Sequence, residues 1–212
     1  MEDPRPSAVS FATTEHFALQ GSRANTIAES TGRATMFLAS ASGGLIALGL
    51  VATATGIGTA FYAFGLVLFP TLAFVGLVTY ERTVQVGLED VQLMLRIARL
   101  REYYLREAPE LQPYLVSVPL SDVLTAGSFL AGRAQSLRTV AGMVGVVTAV
   151  LVGATASLIA IAASNHSLLA ALISGGAVAL VATIVLMRFQ KRAYKRATAR
   201  GLAGAPNTRD AP

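Results

Sequence analysis

Hydroxyl side chains are the main polar groups with which this chain could do chemistry, because it has no Cys and only two His residues. The lack of Cys argues against a disulfide framework, a thiolate metal site and a cysteine nucleophile. His16 forms no metal-binding set with its neighbour Glu15, and a lone His166 is usually a solvated side chain. No nucleophile, base and orienting group occur together. We therefore expect no catalytic residue, no metal or cofactor site and no enzyme activity.

Two hydroxyl residues share a helical face with a glycine. Ser42, Gly49 and Thr53 follow one another at spacings of seven and four, which places them on one side of a helix. Hydroxyls and exposed backbone can replace the water around an ion, so these residues could line a pore built by several subunits. In the alternative interpretation, each hydroxyl bonds to a carbonyl of its own helix and has no further role.

Ser42 and Thr53 lie in the first of two long stretches without any Asp, Glu, Lys or Arg, residues 34–80 and 139–187. A helix of ~20 apolar residues crosses the ~30 Å hydrocarbon core of a bilayer, so each stretch is long enough for two crossings. The turns would be Gly56-Ile57-Gly58 and Ser164-Asn165-His166-Ser167. The predicted spans are 34–54, 59–79, 140–163 and 168–187.

The composition also favours a membrane protein, since 53% of the residues are hydrophobic and only 14% are charged. We therefore predict an all-α membrane protein whose four transmembrane helices form two hairpins, with a long amphipathic cytoplasmic helix between them. The predicted order along the chain begins with an N-terminal tail and an amphipathic lead helix that Thr13 should cap, residues 1–33. It continues with the first hairpin, 34–80; a cytoplasmic helical segment, 81–139; the second hairpin, 140–187; and a basic tail, 188–212.

The distribution of basic residues predicts the orientation. Of the 17 Lys and Arg residues, three precede the first span, seven lie between the hairpins and seven follow the last span, whereas the two turns have none. Because Lys and Arg are retained on the cytoplasmic side, both termini and the segment 81–139 should be cytoplasmic. Arg is far more frequent than Lys, and Ala, Gly and Val dominate the spans, as in GC-rich bacterial genomes. We expect a bacterial plasma membrane protein.

Small residues recur at every fourth position in the last two spans. Such rows let helix backbones approach closely, and close packing holds helices together in lipid. We predict that they pack the spans of one chain against each other, with contacts between subunits as the alternative. The predicted packing residues are Ala141, Gly145, Ala149, Gly153 and Ser157 in the third span and Ala171, Gly175, Ala179 and Thr183 in the fourth.

Between the hairpins, the predicted helix from Glu81 to Ala108 has one polar stripe and is apolar over most of its circumference. Pro109 should end it. Such a surface is a liability in water unless something covers it. We expect it to dock on neighbouring helices, a second copy or a partner protein, with the lipid interface as an alternative. The predicted docking residues are Leu93, Ile97, Leu100 and Tyr104.

Basic residues follow the last span at helical spacings with no acidic residue among them. Each could gain ~1 kcal/mol from anionic lipid headgroups. Nucleic acid is an unlikely partner, since few aromatic side chains are interleaved. The predicted headgroup contacts are Arg188, Lys191, Arg192, Lys195 and Arg196.

The sequence favours a structural or interaction role, in which a membrane helix bundle docks a partner or itself. The absence of charge in the spans, the small-residue rows and the hydroxyl face favour an oligomeric channel as the alternative. An intramembrane carboxylate or Lys would indicate ion-coupled transport, and the spans have neither.

Overall fold

The computed structural model describes residues 5–111, 113, 139–163 and 167–203. Within these ranges the chain is all helical and has no strand. The α-helices are α1 (Arg5–Thr55), α2 (Thr59–Glu107), α3 (Val140–Ala163) and α4 (Leu168–Ala203), and a 3₁₀ turn (Pro109–Leu111) follows α2. The predicted turn residue His166 and most of the predicted segment 81–139 beyond Leu111 lie outside the described residues.

Helix α1 begins earlier than expected. It starts at Arg5, with Pro6 in its first turn, where the missing N–H of a proline has no intrahelical partner to lose. Thr13 therefore does not cap a helix, because its Oγ1 donates to the carbonyl of Val9 at 2.9 Å inside α1. The lead helix and the first predicted span form one continuous helix.

The ends of α1 and α2 follow local residue chemistry. Gly56 has a φ of 71°, the left-handed conformation that commonly follows a helix end and that glycine adopts without strain. Helix α2 continues without a break through Pro70 and Gly87 and ends before Pro109, as the sequence predicts.

Side chains cap the start of α3 and α4. The amide of Gly142 donates to Thr139 Oγ1 at 3.0 Å, and that of Ala170 donates to Ser167 Oγ at 3.4 Å. The bounds of α3 coincide with the third predicted span, whereas α4 continues past Met187 into the basic segment.

Four helices in the described part of the chain are long and apolar enough to cross a membrane. In each, an 18-residue window has a mean hydropathy between 1.8 and 2.4 with at most two charged residues. The window in α3 is 39% buried and that in α4 only 11%, so α3 is the most enclosed of the four.

The chain divides into two compact units. The span unit contains the described parts of Ser30–Val84 and Arg133–Lys191, and the flanking unit those of Met1–Glu29, Gln85–Gly132 and Arg192–Pro212. The most deeply buried apolar side chains of the span unit include Phe37, Tyr80, Val144 and Ala149, and those of the flanking unit include Leu19, Val86, Val91 and Ile97.

Candidate functional site

Helices α3 and α4 contact each other through small residues in the span unit. A Cβ atom built on Gly153 would lie 2.6 Å from the carbonyl oxygen of Gly175 and 2.7 Å from the Cβ of Ala179. One built on Gly175 would overlap Ser157 Oγ, which itself donates to the carbonyl of Ala171 at 3.0 Å. The two backbones therefore meet without intervening side chains, and we call this contact the α3/α4 seam.

The remaining predicted packing residues also lie inside the span unit. Ala141 and Ala149 are buried, and a Cβ on Gly145 would lie 2.9 Å from the ring of Tyr80. Thr183 is half-buried and donates to the carbonyl of Ala179 at 2.8 Å. The small residues of α3 thus face both α2 and α4 of the same chain.

Two polar side chains join distant parts of the span unit. Tyr80 donates its hydroxyl to the carbonyl of Leu186 at 2.5 Å, and Gln190, which is 2% exposed, donates Nε2 to Thr139 Oγ1 at 3.0 Å. Among the described residues, no donor reaches Gln190 Oε1. A cavity of about 10 Å³ beside it is close to the size of one water molecule.

The sequence analysis did not predict a role for Tyr80 or Gln190, although the position of each along the chain is informative. Tyr80 is the last residue of the first charge-free stretch, and Gln190 is an uncharged polar residue within a basic run. Each could be expected to lie where apolar packing ends and polar surroundings begin.

The residues of the predicted pore face lie on the outside of the span unit. Ser42, Gly49 and Thr53 are exposed, and a Cβ on Gly49 would meet nothing within 4 Å. Thr53 Oγ1 donates to the carbonyl of Leu50 at 2.9 Å, so its hydroxyl proton is used within its own helix. A pore lining by these residues stays a prediction, and it would require several copies of the chain.

In the flanking unit, α2 packs on α1 of the same chain. Ile97 is 5% exposed, while Leu93, Leu100 and Tyr104 are half-buried. The hydroxyl of Tyr104 donates to the carbonyl of Ala12 at 2.6 Å. Much of the apolar surface predicted for docking is therefore covered within the chain, and docking of a partner by these residues stays a prediction.

Charged and aromatic groups complete that packing. Arg23 Nε lies 2.9 Å from Asp90 Oδ1, which pairs α1 with α2. A Cβ on Gly87 would overlap the hydroxyl of Tyr194, so a glycine on α2 makes room for the α4 tyrosine. Burial, followed by the charge of Asp90, raises the pKa of Tyr194 from 10.0. The phenol therefore stays neutral at physiological pH.

The opposite side of α1 in the flanking unit carries exposed apolar side chains. Phe17 is 72% exposed and Ile27 is 54% exposed, and Ala24 between them is also exposed. Helical geometry places these three within about a quarter of the circumference. We call them the α1 apolar face.

The predicted headgroup residues lie on α4 beyond the fourth predicted span. Arg188, Arg192, Lys195 and Arg196 are exposed and Lys191 is half-buried. In the described part of the chain, no group of three His, Cys, Asp or Glu residues could hold a metal ion.

No known family model matches the chain, and no curated protein or solved structure is significantly similar to it. The four helices able to cross a membrane are compatible with a membrane helical bundle.

Proposed function

We propose that the protein is a multi-pass membrane scaffold that binds a second copy of itself or a partner protein through its flanking unit. In this proposal the spans form two hairpins in a bacterial plasma membrane, with both termini and the region between the hairpins in the cytoplasm. The basic residues of α4 then lie at the cytoplasmic leaflet, where anionic headgroups attract them. No enzymatic step is assigned.

The observation that supports docking is the α1 apolar face. Of the α2 residues predicted to dock, Ile97 is buried and Leu93, Leu100 and Tyr104 are half-buried, whereas Phe17 and Ile27 are exposed. Burying both would stabilise a complex by roughly 3 to 6 kcal/mol before the costs of association. We therefore propose that the docking surface lies on α1 rather than on α2.

We favour a protein over lipid as the partner that buries Phe17. This residue precedes Ala34, the start of the first predicted span, by 17 positions, which is ~26 Å along a helix. The headgroup region is only ~5 to 8 Å thick on each side of the hydrocarbon core. The length of chain between Phe17 and the span exceeds this thickness, so we favour a protein as the cover.

The test is a double substitution, Phe17→Ser with Ile27→Ser, in the full-length protein purified in a mild detergent. The wild type should have the mass of a dimer or contain a partner at a fixed ratio by native mass spectrometry, because the apolar face is covered in the complex. The variant should be a single chain without a partner. Phe11→Ser is the matched control, since Phe11 is 75% exposed but lies on another side of α1.

A wild type that is monomeric and free of partner protein would contradict docking. The same conclusion would follow if the double variant kept the wild-type mass and composition. A loss of assembly with Phe11→Ser alone would place the contact on a different side of α1.

An oligomeric channel is the second candidate, and the outward position of Ser42, Gly49 and Thr53 favours it. Several copies could bring these faces around a common axis. Purified protein in liposomes should then conduct ions, and Ser42→Leu should reduce the flux. An absence of flux from a preparation that is oligomeric by mass would contradict this candidate.

A further inference from the structure

An apolar groove of about 270 Å³ lies in the span unit between α2 and α4, with α3 as its floor. Its lining includes Phe74 and Leu77 from α2, Thr148 and Val152 from α3, and Ala182 and Val185 from α4. Phe74 and Val185 are more than half exposed, so the groove opens to the outside of the unit.

The groove lining has few groups that could hydrogen-bond to a polar ligand. Thr148 supplies its only hydroxyl, and that hydroxyl donates to the carbonyl of Val144 at 2.8 Å within α3. Water in the groove would therefore find few partners, whereas a buried water needs two to four. The groove suits an apolar occupant.

A hydrogen bond joins α2 and α4 at one end of the groove. Leu77 lines the groove, and one helical turn later Tyr80 donates its hydroxyl to the carbonyl of Leu186, which also lines it. This bond connects the two walls at one end. A linear molecule could enter from the side but could not pass between the helices at Tyr80.

The volume indicates which apolar occupant fits. The groove has room for several water-sized groups rather than for one, so it accommodates part of a linear apolar chain. An α-helix of a second copy is ~10 Å across and does not enter a space of this size. Such a linear segment corresponds to part of one lipid acyl chain.

A cationic side chain stands at the same level of α4 as the closed end. Arg188 follows Val185 by three residues, which places it one turn later on nearly the same side of the helix, and it is exposed. The run from Arg188 to Arg196 contains no acidic residue. An anionic headgroup would therefore find an opposite charge next to the groove.

We propose that this groove binds one acyl chain of an anionic phospholipid, with the phosphate of that lipid held by Arg188. The proposal rests on membrane insertion and is independent of docking through the α1 apolar face. Lipid chains are as apolar as the lining, so hydrophobicity alone does not favour the groove over the bulk bilayer. Selectivity comes from the fit of one chain and from the charge of Arg188.

The first test uses wild-type protein in vesicles of phosphatidylglycerol and phosphatidylcholine. A phosphatidylglycerol probe with a photoreactive group midway along its acyl chain should label α2 and α4 at groove residues such as Leu77 and Val185. Unlabelled phosphatidylglycerol should compete at least about tenfold better than phosphatidylcholine, a difference of ~1.4 kcal/mol. Labels spread evenly over all exposed span residues, or equal competition by the two lipids, would overturn the proposal.

The second test fills the groove. Ala182→Leu places three extra carbons in it, whereas the control Ala177→Leu adds the same volume at an exposed position on another side of α4. Groove labelling should fall about tenfold in Ala182→Leu and remain at the wild-type level in Ala177→Leu. Equal labelling of the two variants would overturn the proposal, and equal melting temperatures would show that Ala182→Leu is folded.

The headgroup contact has its own variant. Arg188→Gln should keep groove labelling but lose the preference for phosphatidylglycerol over phosphatidylcholine, because the neutral amide offers no charge to the phosphate. An unchanged preference would remove Arg188 from the site. Because Phe17 and Ile27 lie in the other unit, failure of the docking test and failure of the lipid test are distinguishable.

Discussion

At the scale of single residues, the glycines of the span unit differ sharply in what surrounds them. Gly153 faces the backbone of α4 at the α3/α4 seam, whereas Gly176, which lies next to Gly175 on α4, has open space around it. Glycine therefore has a different structural role at each of these two positions. At one position it permits a backbone contact, and at the other it only lowers the local helix propensity.

We predict that Gly153→Ala destabilises the protein by ~1 to 3 kcal/mol, because its methyl group would lie 2.6 Å from a backbone oxygen that can move only with its whole helix. The measurement is thermal unfolding in a mild detergent. Gly176→Ala is the control, and it should be neutral or more stable by up to ~1 kcal/mol. Similar melting temperatures for the two variants would mean that the helices are not in close contact at Gly153.

At the scale of helices, α2 contributes residues to both the span unit and the flanking unit. Its first part has apolar residues that pack on α3, and its last part has Ile97 buried in the flanking unit. Exposed charged residues such as Arg96 and Glu102 occupy the other side of that last part. The amphipathic pattern thus stabilises the chain's own helix packing before any partner is considered.

The corresponding prediction concerns Ile97→Asp, which should destabilise the flanking unit by ~3 kcal/mol or more. A carboxylate at a position that is only 5% exposed would be buried without a partner. Gln92→Asp introduces the same charge at an exposed position of α2 and should leave unfolding nearly unchanged. Hydrogen exchange of α2 amides would locate the effect. An Ile97→Asp protein with wild-type protection would contradict the burial of this residue.

At the scale of the whole molecule, the orientation in the membrane is the main prediction. The chain has no Cys, so the labelling of a single introduced cysteine has no background from native cysteines. Ile57→Cys, at a position that is 73% exposed between α1 and α2, should react with a membrane-impermeant thiol reagent in intact cells. Glu102→Cys, at an exposed position in the flanking unit, should react only after the cells are opened.

The physical reason is the retention of Lys and Arg on the cytoplasmic side, since the Gly56-Ile57-Gly58 turn has no basic residue and the region around Glu102 has several. The reverse labelling pattern would invert the proposed orientation. Reaction of both cysteines in intact cells would contradict the four-span arrangement.

The sequence by itself determined the helical class and several helix ends. Helix hydrogen bonds are local, so a turn at Gly56 and a stop before Pro109 depend only on neighbouring residues. The length of a span depends on bilayer thickness, which is the same for any protein. Thr13 was misread, because a Thr that bonds back to its own helix looks like a cap in sequence.

Only the tertiary structure decided which surfaces are covered. Helix α2 is apolar over most of its circumference, so its periodicity did not specify a buried side. The α1 apolar face is exposed although its pattern is that of a buried stripe. Tyr80 and Leu186 are 106 residues apart, and Thr139 and Gln190 are 51 apart. Such contacts depend on how whole helices are arranged, and no local pattern encodes that arrangement.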